Sequence, residues 1–306
     1  MKSWAILLPK PGKSAERTWV GARPLLRNLR HMYLVAQFFG KIALCRLSPL
    51  ALGLLLFSAS KLDATVVTFD WPGSPGWTAG APTGGQTKTQ SFTSVNPNDI
   101  TVAINNSGAG PQGMVWNAGS GGYPQISSNP DTGGFTGVNG LQLLVASSQA
   151  VGTYTKTTIS FATPVINLSF QIWDVDAVAG QFVDKVANIQ ALAQGGGTVG
   201  PDSVTSAVPG FNNITGSGLA TVVLGTANAN NGTNQGTIDI AFNGPITQFS
   251  FEWSNNDPAL GAQGIAIGSL TYTPMPEIES TWIAPAACAA AIALELFRRR
   301  RNQASP

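Results

Sequence analysis

The chain has 306 residues, of which 43% are hydrophobic and 10% charged, and its formal net charge is +2. The positive charge lies at the two ends, because the stretch 65–274 has three lysines against ten acidic residues, a net charge of −7. That stretch has no cysteine, histidine or arginine. This composition excludes a disulfide framework, a Cys/His zinc site, Ser-His-Asp hydrolysis and a basic nucleic-acid-binding face.

The N-terminal 64 residues have the layout of a secretory leader. An apolar run at 47–57 follows the basic residues Lys41 and Arg46 and precedes several small residues. A basic region, a short apolar region and small residues are typical of a signal peptide, and the run is too short for a membrane span. We therefore assign 32–64 to a signal peptide and 1–31 to a basic extension, with Met32 as an alternative start. The alternatives are a long basic leader and an uncleaved anchor.

The middle stretch 65–274 predicts short β-strands. Apolar and polar side chains alternate most clearly at 165–174, where Ile166, Leu168, Phe170 and Ile172 share one face. The same alternation occurs at 159–161, 238–242 and 248–253. Further strands are predicted at 66–69, 100–104, 141–146, 186–192, 219–224 and 265–272.

Turn residues separate the predicted strands. Asn139-Gly140 and Asn243-Gly244 suit hairpin turns, and Pro164 is expected to separate two strands. We predict an all-β fold, an antiparallel β-sandwich of the jelly-roll kind. Long Gly/Asn/Ser-rich loops are predicted at 72–90 and 105–140, and such loops often carry binding residues.

Acidic residues cluster where the most regular strand ends. Trp173-Asp174-Val175-Asp176 closes that strand, and Asp184 follows after a loop that contains glycine. Calcium takes about six to eight oxygen ligands, so Asp174, Asp176 and Asp184, with Asp257 from a neighbouring loop, form a candidate calcium site. The alternative is a set of solvated loop acids, or a turn capped by Asp176. No other cofactor is expected.

Aromatic residues in the N-terminal part of this stretch suggest a second kind of site. Trp77, Trp116 and Tyr123 lie among Gly-, Asn- and Ser-rich segments, and flat rings of this kind can stack on sugars. The alternative is that the rings fill the core or cover strand ends, which is their commoner role.

The C-terminal segment 275–306 combines a polar motif, a hydrophobic run and a basic cluster. The run 282–297 predicts one membrane helix, although it is shorter than the roughly twenty residues of a typical span. The cluster Arg298, Arg299, Arg300 and Arg301 should remain in the cytoplasm and leave the middle stretch outside. The alternative, an amphipathic terminal helix, would need a polar stripe that the run lacks.

This tail resembles the PEP-CTERM sorting signal, the substrate signal of exosortases in Gram-negative bacteria. The resemblance rests on the hydrophobic run, the four arginines and a motif at 276–282, in which the matching residues are Pro276, Glu277, Ser280, Thr281 and Trp282. Where the family usually has a third motif proline, this chain has Ile278. The resemblance implies export, transient tethering to the inner membrane, cleavage near Glu277 by an exosortase-type enzyme, and release to the cell surface.

Three functional hypotheses follow. The first is a non-enzymatic surface or extracellular-matrix protein with a structural or adhesive role in exopolysaccharide or biofilm. The second is a carbohydrate-binding module, lectin-like and calcium-dependent if the acidic site is filled. The third is a glycoside hydrolase that uses Asp pairs; it is the least favoured, because the middle stretch has a single glutamate, Glu252, whose position in the alternation points outward.

Overall fold

The computed structural model describes residues 65–82, 84–107, 114–116, 123–129, 135–148, 152–259 and 261–275. The predicted leader and the C-terminal tail, including the sorting motif, the hydrophobic run and the four arginines, lie outside these residues. Within the described ranges, no helix is both long enough and apolar enough to cross a membrane.

The described residues form strands and one short 3-10 turn, Gly218–Ala220. In chain order the strands are β1 (Val67–Phe69), β2 (Thr87–Phe92), β3 (Ile100–Ser107), β4 (Met114–Trp116), β5 (Gln125–Ser127), β6 (Gly140–Ser148), β7 (Tyr154–Trp173), β8 (Ala177–Val178), β9 (Phe182–Ala193), β10 (Thr198–Val199), β11 (Ser203–Ser206), β12 (Asn212–Thr215), β13 (Val222–Gly225), β14 (Ile238–Phe242), β15 (Ile246–Asn255) and β16 (Gln263–Pro274). All of their pairings are antiparallel, so the predicted all-β antiparallel class is confirmed.

Strand β7 organises the fold because it is 20 residues long and belongs to two layers. Its first half pairs with β3 and β15, which continue into a first sheet of order β2-β3-β7-β15-β9-β13-β12. Its second half pairs with β14 and β16 in a second sheet of order β11-β14-β7-β16-β6. Strands β4 and β5 extend the second sheet beside β6, and β1 pairs with the end of β16.

The core lies between the two sheets, as in a β-sandwich. Ile159 and Phe161 from the first half of β7, and Phe170 and Ile172 from its second half, are all buried. Phe170 in the second sheet stacks on Phe249 in the first, with ring centroids 4.4 Å apart. Such contacts remove the inward face of both sheets from water, and this burial is the main stabilising contribution to a fold of this kind.

The expectation that Pro164 separates two strands is wrong, because β7 continues through it. Pro164 lies where the strand passes from the first sheet to the second, and no register pair of either sheet includes it. Proline has no backbone N–H, but no hydrogen bond between strands is lost at this position. The Pro164 carbonyl still accepts a hydrogen bond from Met275 N. Strand β7 therefore passes from the first sheet to the second without interruption.

Two other local expectations are corrected. The predicted hairpin turn at Asn139-Gly140 lies earlier, because the residues between the bridged pair Phe135 and Val138 form the turn and Gly137 supplies the positive φ of 80°. The segments expected as long loops also contain strands, since β2 begins in the first and β4 and β5 lie in the second. These short strands have little alternating hydrophobicity and depend on pairing with β3 and β6.

Candidate functional site

The outer face of the second sheet contains an open groove of about 420 Å³. Its floor is a register row of small side chains, in which Ser203 pairs with Ala241, Ala241 with Ser169, and Ser169 with Thr271. Four strands thus contribute one small residue each at the same level. The groove is concave at this row because larger side chains border it, including Gln171, Trp173 and Val138.

Polar groups at the groove are held in a fixed arrangement. Trp173 Nε1 donates to Gln171 Oε1 at 2.9 Å, and Gln171 Nε2 donates to Asp239 Oδ1 at 2.8 Å. Gln171 and Asp239 are direct cross-strand partners on β7 and β14. On the β16 side, the Ser269 hydroxyl donates to Asp70 Oδ1 at 2.7 Å. The groove therefore presents hydroxyl, amide and carboxylate groups whose orientation is set before any ligand arrives.

Trp173 forms a buried wall of the groove and is 4% exposed. Phe135 packs edge-on against it at 4.9 Å. A Cβ added to Gly140 or Gly268 would lie 2.8 Å or 2.6 Å from its ring, so the two glycines on β6 and β16 allow the indole to lie flat against the sheet. The ring therefore supports Gln171 more than it offers an open stacking face.

Comparison with known proteins gives little beyond the geometry. No protein-family model matches the chain, and no curated protein matches it significantly. Among solved structures, the chain is similar to a family 11 carbohydrate-binding module of a cellulosomal cellulase from Clostridium thermocellum, with a TM-score of 0.25 and 13% identity over 63% of this chain and 90% of that one. A likeness this distant decides neither the fold subclass nor the function.

The predicted acidic residues Asp174, Asp176 and Asp184 do come together, with Asp176 and Asp184 buried and Asp174 half-buried, and none of them lines the groove. Asp184 is fully buried and Asp176 is 4% exposed. Asp184 accepts hydrogen bonds from Trp253 Nε1 at 2.8 Å and from the backbone N–H of Asp176 at 3.2 Å. Asp176 Oδ2 accepts the backbone N–H of Ala229 at 2.8 Å.

Close backbone packing encloses this acid cluster. Gly225 on β13 lies so near Asp176 that an added Cβ would collide with the Asp176 carbonyl. Asn212 Nδ2 donates to the Val175 carbonyl at 2.6 Å, and Val175 N donates to the Gly236 carbonyl at 2.9 Å. The cluster therefore joins β7, β9, β12, β15 and the segment between β13 and β14.

Burial changes the acidity of all three carboxyl groups. Burial, followed by the nearby charge of Asp176, raises the pKa of Asp174 from 3.8 to about 7. Burial raises the pKa of Asp176 to about 6, although hydrogen bonds from Ala229 and Asp184 oppose the rise. Burial and the charge of Asp176 raise the pKa of Asp184 well above its usual range, against the opposing hydrogen bonds of Trp253 and Asp176. Near neutral pH the protonated form is therefore favoured at Asp184 and present beside the ionised form at Asp174, whereas Asp176 is mostly ionised.

The fourth predicted ligand, Asp257, takes part in a turn. Its Oδ1 accepts the backbone N–H of Ala259 at 2.7 Å. Its own N–H donates to Asn255 Oδ1, and Asn255 is the register partner of Asp184. In the part of the chain that the structure describes, no group of three or more His, Cys, Asp or Glu side chains is arranged to hold a metal ion. Calcium at these residues stays a prediction.

Two of the predicted glycan-contact aromatics, Trp77 and Tyr123, have other contacts than the groove. Trp77 packs partly buried against the hydrophobic core, and its Nε1 donates to the Gly80 carbonyl at 2.9 Å. Tyr123 is 7% exposed. Trp116 lies in β4, and its side chain is outside the described part of the structure. Neither Trp77 nor Tyr123 lines the groove, so their role in glycan binding stays a prediction too.

Sequence reasoning missed the groove residues. The alternation at 165–174 places Ser169 and Gln171 on the polar outer face, but it does not distinguish a binding groove from an ordinary solvent-exposed face of a sheet. The groove depends on Ser203, Ala241 and Thr271, which lie 34 to 102 residues away from Ser169 along the chain and reach it only through the register of β11, β14 and β16. The sequence feature that could indicate the groove is the presence of small side chains at outward-facing positions of several strands.

Proposed function

We propose that residues 65–274 form a non-catalytic carbohydrate-binding domain whose binding site is the groove on the second sheet. The observation that carries the proposal is the open concavity of about 420 Å³ with preoriented polar groups. Ligand sites commonly have about this volume and a few fixed polar groups among apolar walls. Sugar hydroxyls donate and accept hydrogen bonds, and Ser169, Gln171, Asp239, Ser269 and Thr271 supply partners for both.

The structure supports carbohydrate binding better than it supports glycoside hydrolysis in which Asp174, Asp176 and Asp184 would be the catalytic residues. Glycoside hydrolysis needs two carboxyl groups on opposite sides of an accessible bond. Asp176 and Asp184 instead lie in the protein interior, where Ala229 and Trp253 donate hydrogen bonds to them, and the half-buried Asp174 lies near Asp176. None of the three lines the groove. The acid cluster therefore supports a structural role in this domain.

We also propose how the whole chain is exported and processed. The leader at 32–64 and the tail at 275–306 support export, transient tethering at the inner membrane and processing by an exosortase-type enzyme. The domain would then lie at the cell surface or in the extracellular matrix, with a structural or adhesive role among polysaccharides. We also propose the jelly-roll subclass of the sandwich, which the two antiparallel sheets joined through β7 support.

Filling the groove tests the binding proposal. Ser169 is an exposed residue in the middle of the floor row, so Ser169→Tyr should block the groove without removing a core contact. We expect at least roughly tenfold weaker binding to a soluble polysaccharide that the full-length protein binds, because the ligand loses most of its contact surface. The measurement is affinity electrophoresis against a panel of β-glucans, mannans, xylans and substituted celluloses.

Ser160→Tyr is the matched control, since Ser160 lies on the same strand but in the first sheet, opposite Gln248. This variant should bind as the wild type does. Absence of retardation by every polysaccharide of the panel would contradict the proposed function. Equal binding by Ser169→Tyr and the wild type would place the binding site elsewhere on the domain.

A further inference from the structure

We infer that the groove selects uncharged glycans and rejects anionic ones, such as polymers of uronic acids or sulfated sugars. This inference rests on the proposed function and concerns the ligand class of the same groove. Its starting point is the charge around the site. Asp239 lines the groove, and Asp70 accepts the hydrogen bond of Ser269, which also lines it.

The hydrogen-bond pattern leaves an acceptor where a ligand would bind. Asp239 Oδ1 is occupied by Gln171 Nε2 at 2.8 Å, whereas Oδ2 makes no hydrogen bond within the described ranges. Gln171 cannot turn its amide without losing both Asp239 and Trp173. A sugar hydroxyl can donate to Oδ2, but an ionised carboxylate or sulfate has no proton to donate.

No lysine or arginine of the described residues offsets this negative charge. The described chain has three lysines and no arginine, and Lys88, Lys156 and Lys185 lie on β2, the first half of β7 and β9. All three strands belong to the first sheet, whereas the groove is on the outer face of the second. An anionic sugar in the groove would therefore meet like charges without a compensating cation.

Paired polymers that differ mainly in charge test the inference. Hydroxyethyl cellulose is compared with carboxymethyl cellulose, and methyl-esterified homogalacturonan with its de-esterified form, using the full-length protein at low and high ionic strength. We expect the neutral member of a bound pair to bind at least roughly tenfold more tightly at low ionic strength, and the ratio to shrink as salt screens the repulsion.

Two carboxylate-to-amide variants sharpen the test. Asp70→Asn removes a negative charge beside the groove. The affinity for the neutral polymer divided by that for the anionic polymer should therefore fall several-fold. Glu252→Gln is the control on the first sheet, where Glu252 Oε2 accepts an amide hydrogen bond from Asn188 much as Asp239 accepts one from Gln171. This control should leave the ratio unchanged.

The outcomes separate the two proposals. If an anionic polymer binds as tightly as its neutral partner, and Ser169→Tyr abolishes that binding, then the groove is a glycan site but the inferred selectivity is wrong. If neither the polymer pairs nor the wider panel bind, the proposed function itself fails. If neutral polymers alone bind, and neither high ionic strength nor Asp70→Asn narrows the ratio of the two affinities, charge is not the cause of selectivity, and the inference is overturned.

Discussion

Asp184 is a carboxyl group with no solvent exposure and no basic side chain among its hydrogen-bond partners. Its hydrogen bonds come from Trp253 and the backbone of Asp176. An ionised carboxylate in such a position loses hydration that two neutral donors only partly replace. Because Asp174 and Asp176 lie near it, ionising all three would also place like charges together inside the protein.

This arrangement predicts a stability that depends on pH. The folded-state pKa values of Asp174 and Asp176, about 7 and about 6, lie above the ordinary value of 3.8. Between these values the folded protein binds more protons than the unfolded chain, so the contribution of the cluster to stability falls as pH rises from about 4 to about 7. Above about pH 7, Asp174 should be ionised in both the folded and the unfolded state, so its contribution to stability should be fully lost.

Asp174→Asn should remove part of this dependence. Asp174 has a φ of 66°, a conformation that asparagine also adopts readily. We expect the variant to be more stable than the wild type at pH 8 by on the order of 1 kcal/mol, and equally stable near pH 4. Thermal unfolding followed by circular dichroism in EDTA measures both.

Superimposable pH profiles for wild type and Asp174→Asn would contradict this role of the cluster, and Glu252→Gln, a substitution outside the cluster on β15, serves as the control. Repeating the experiment with calcium in place of EDTA tests the calcium prediction. A bound cation stabilises ionised carboxylates, so it would raise the wild-type melting temperature at pH 8 and have a smaller effect on Asp174→Asn. An unchanged melting temperature in wild type would contradict calcium binding.

The grouping of these acids could be predicted from the sequence, whereas their burial could not. Asp174 and Asp176 end a strongly alternating strand, and Asp184 follows closely enough to return beside them. The side chain that encloses them, Trp253, comes 69 residues after Asp184. Such distant partners leave no local pattern in the sequence.

At the scale of elements, β6 and β16 approach the Trp173 ring unusually closely. Gly268→Ala should place a methyl group 2.6 Å from the indole, where Trp173 must move or the strands must separate. We expect a loss of about 1–3 kcal/mol in the free energy of unfolding, the usual range for overpacking. Chemical denaturation followed by tryptophan fluorescence measures it.

Gly244→Ala is the control for this substitution, since nothing lies within 4 Å of a Cβ added there and its backbone is not in the left-handed region. That variant should change the free energy of unfolding by less than about 0.5 kcal/mol. Equal effects of the two substitutions would mean that the close approach of β16 to Trp173 contributes nothing specific.

Strand alternation predicted the main elements because half-buried strands must alternate. The segments at 159–161 and 165–174 were both recognised, but their union into one strand was not. Pro164 is a valid break signal inside a sheet, and it fails here because the strand is changing sheets at that residue. The short strands β4, β5 and β12 have too few residues for a period to be visible.

At the scale of the whole molecule, the described strands lie between the proposed leader and the proposed sorting tail. Strand β1 starts at Val67 and β16 ends at Pro274. Cleavage after the leader, near Lys61 or Thr65, and in the tail near Glu277 would therefore leave every described strand intact. The processed protein should keep the melting temperature of the domain.

Intact mass spectrometry of the protein from its native cell envelope tests this proposed processing. We expect a single species that starts near Lys61 or Thr65 and ends near Glu277, and a larger species when the exosortase is deleted. A mature protein that retains the leader and the arginine cluster, with the same mass in both strains, would contradict export through the sorting tail.

The long strand β7 also bears on when this protein can acquire its structure. Its second half pairs with β16, roughly a hundred residues further along the chain, and β16 also pairs with β1 and β6. Contacts between such distant segments have a high contact order and form slowly. A nascent chain therefore lacks a closed second layer until its last strand has left the ribosome. We expect a version that stops before Gln263 to remain open and prone to self-association through the unpaired edges of β1, β6 and β7.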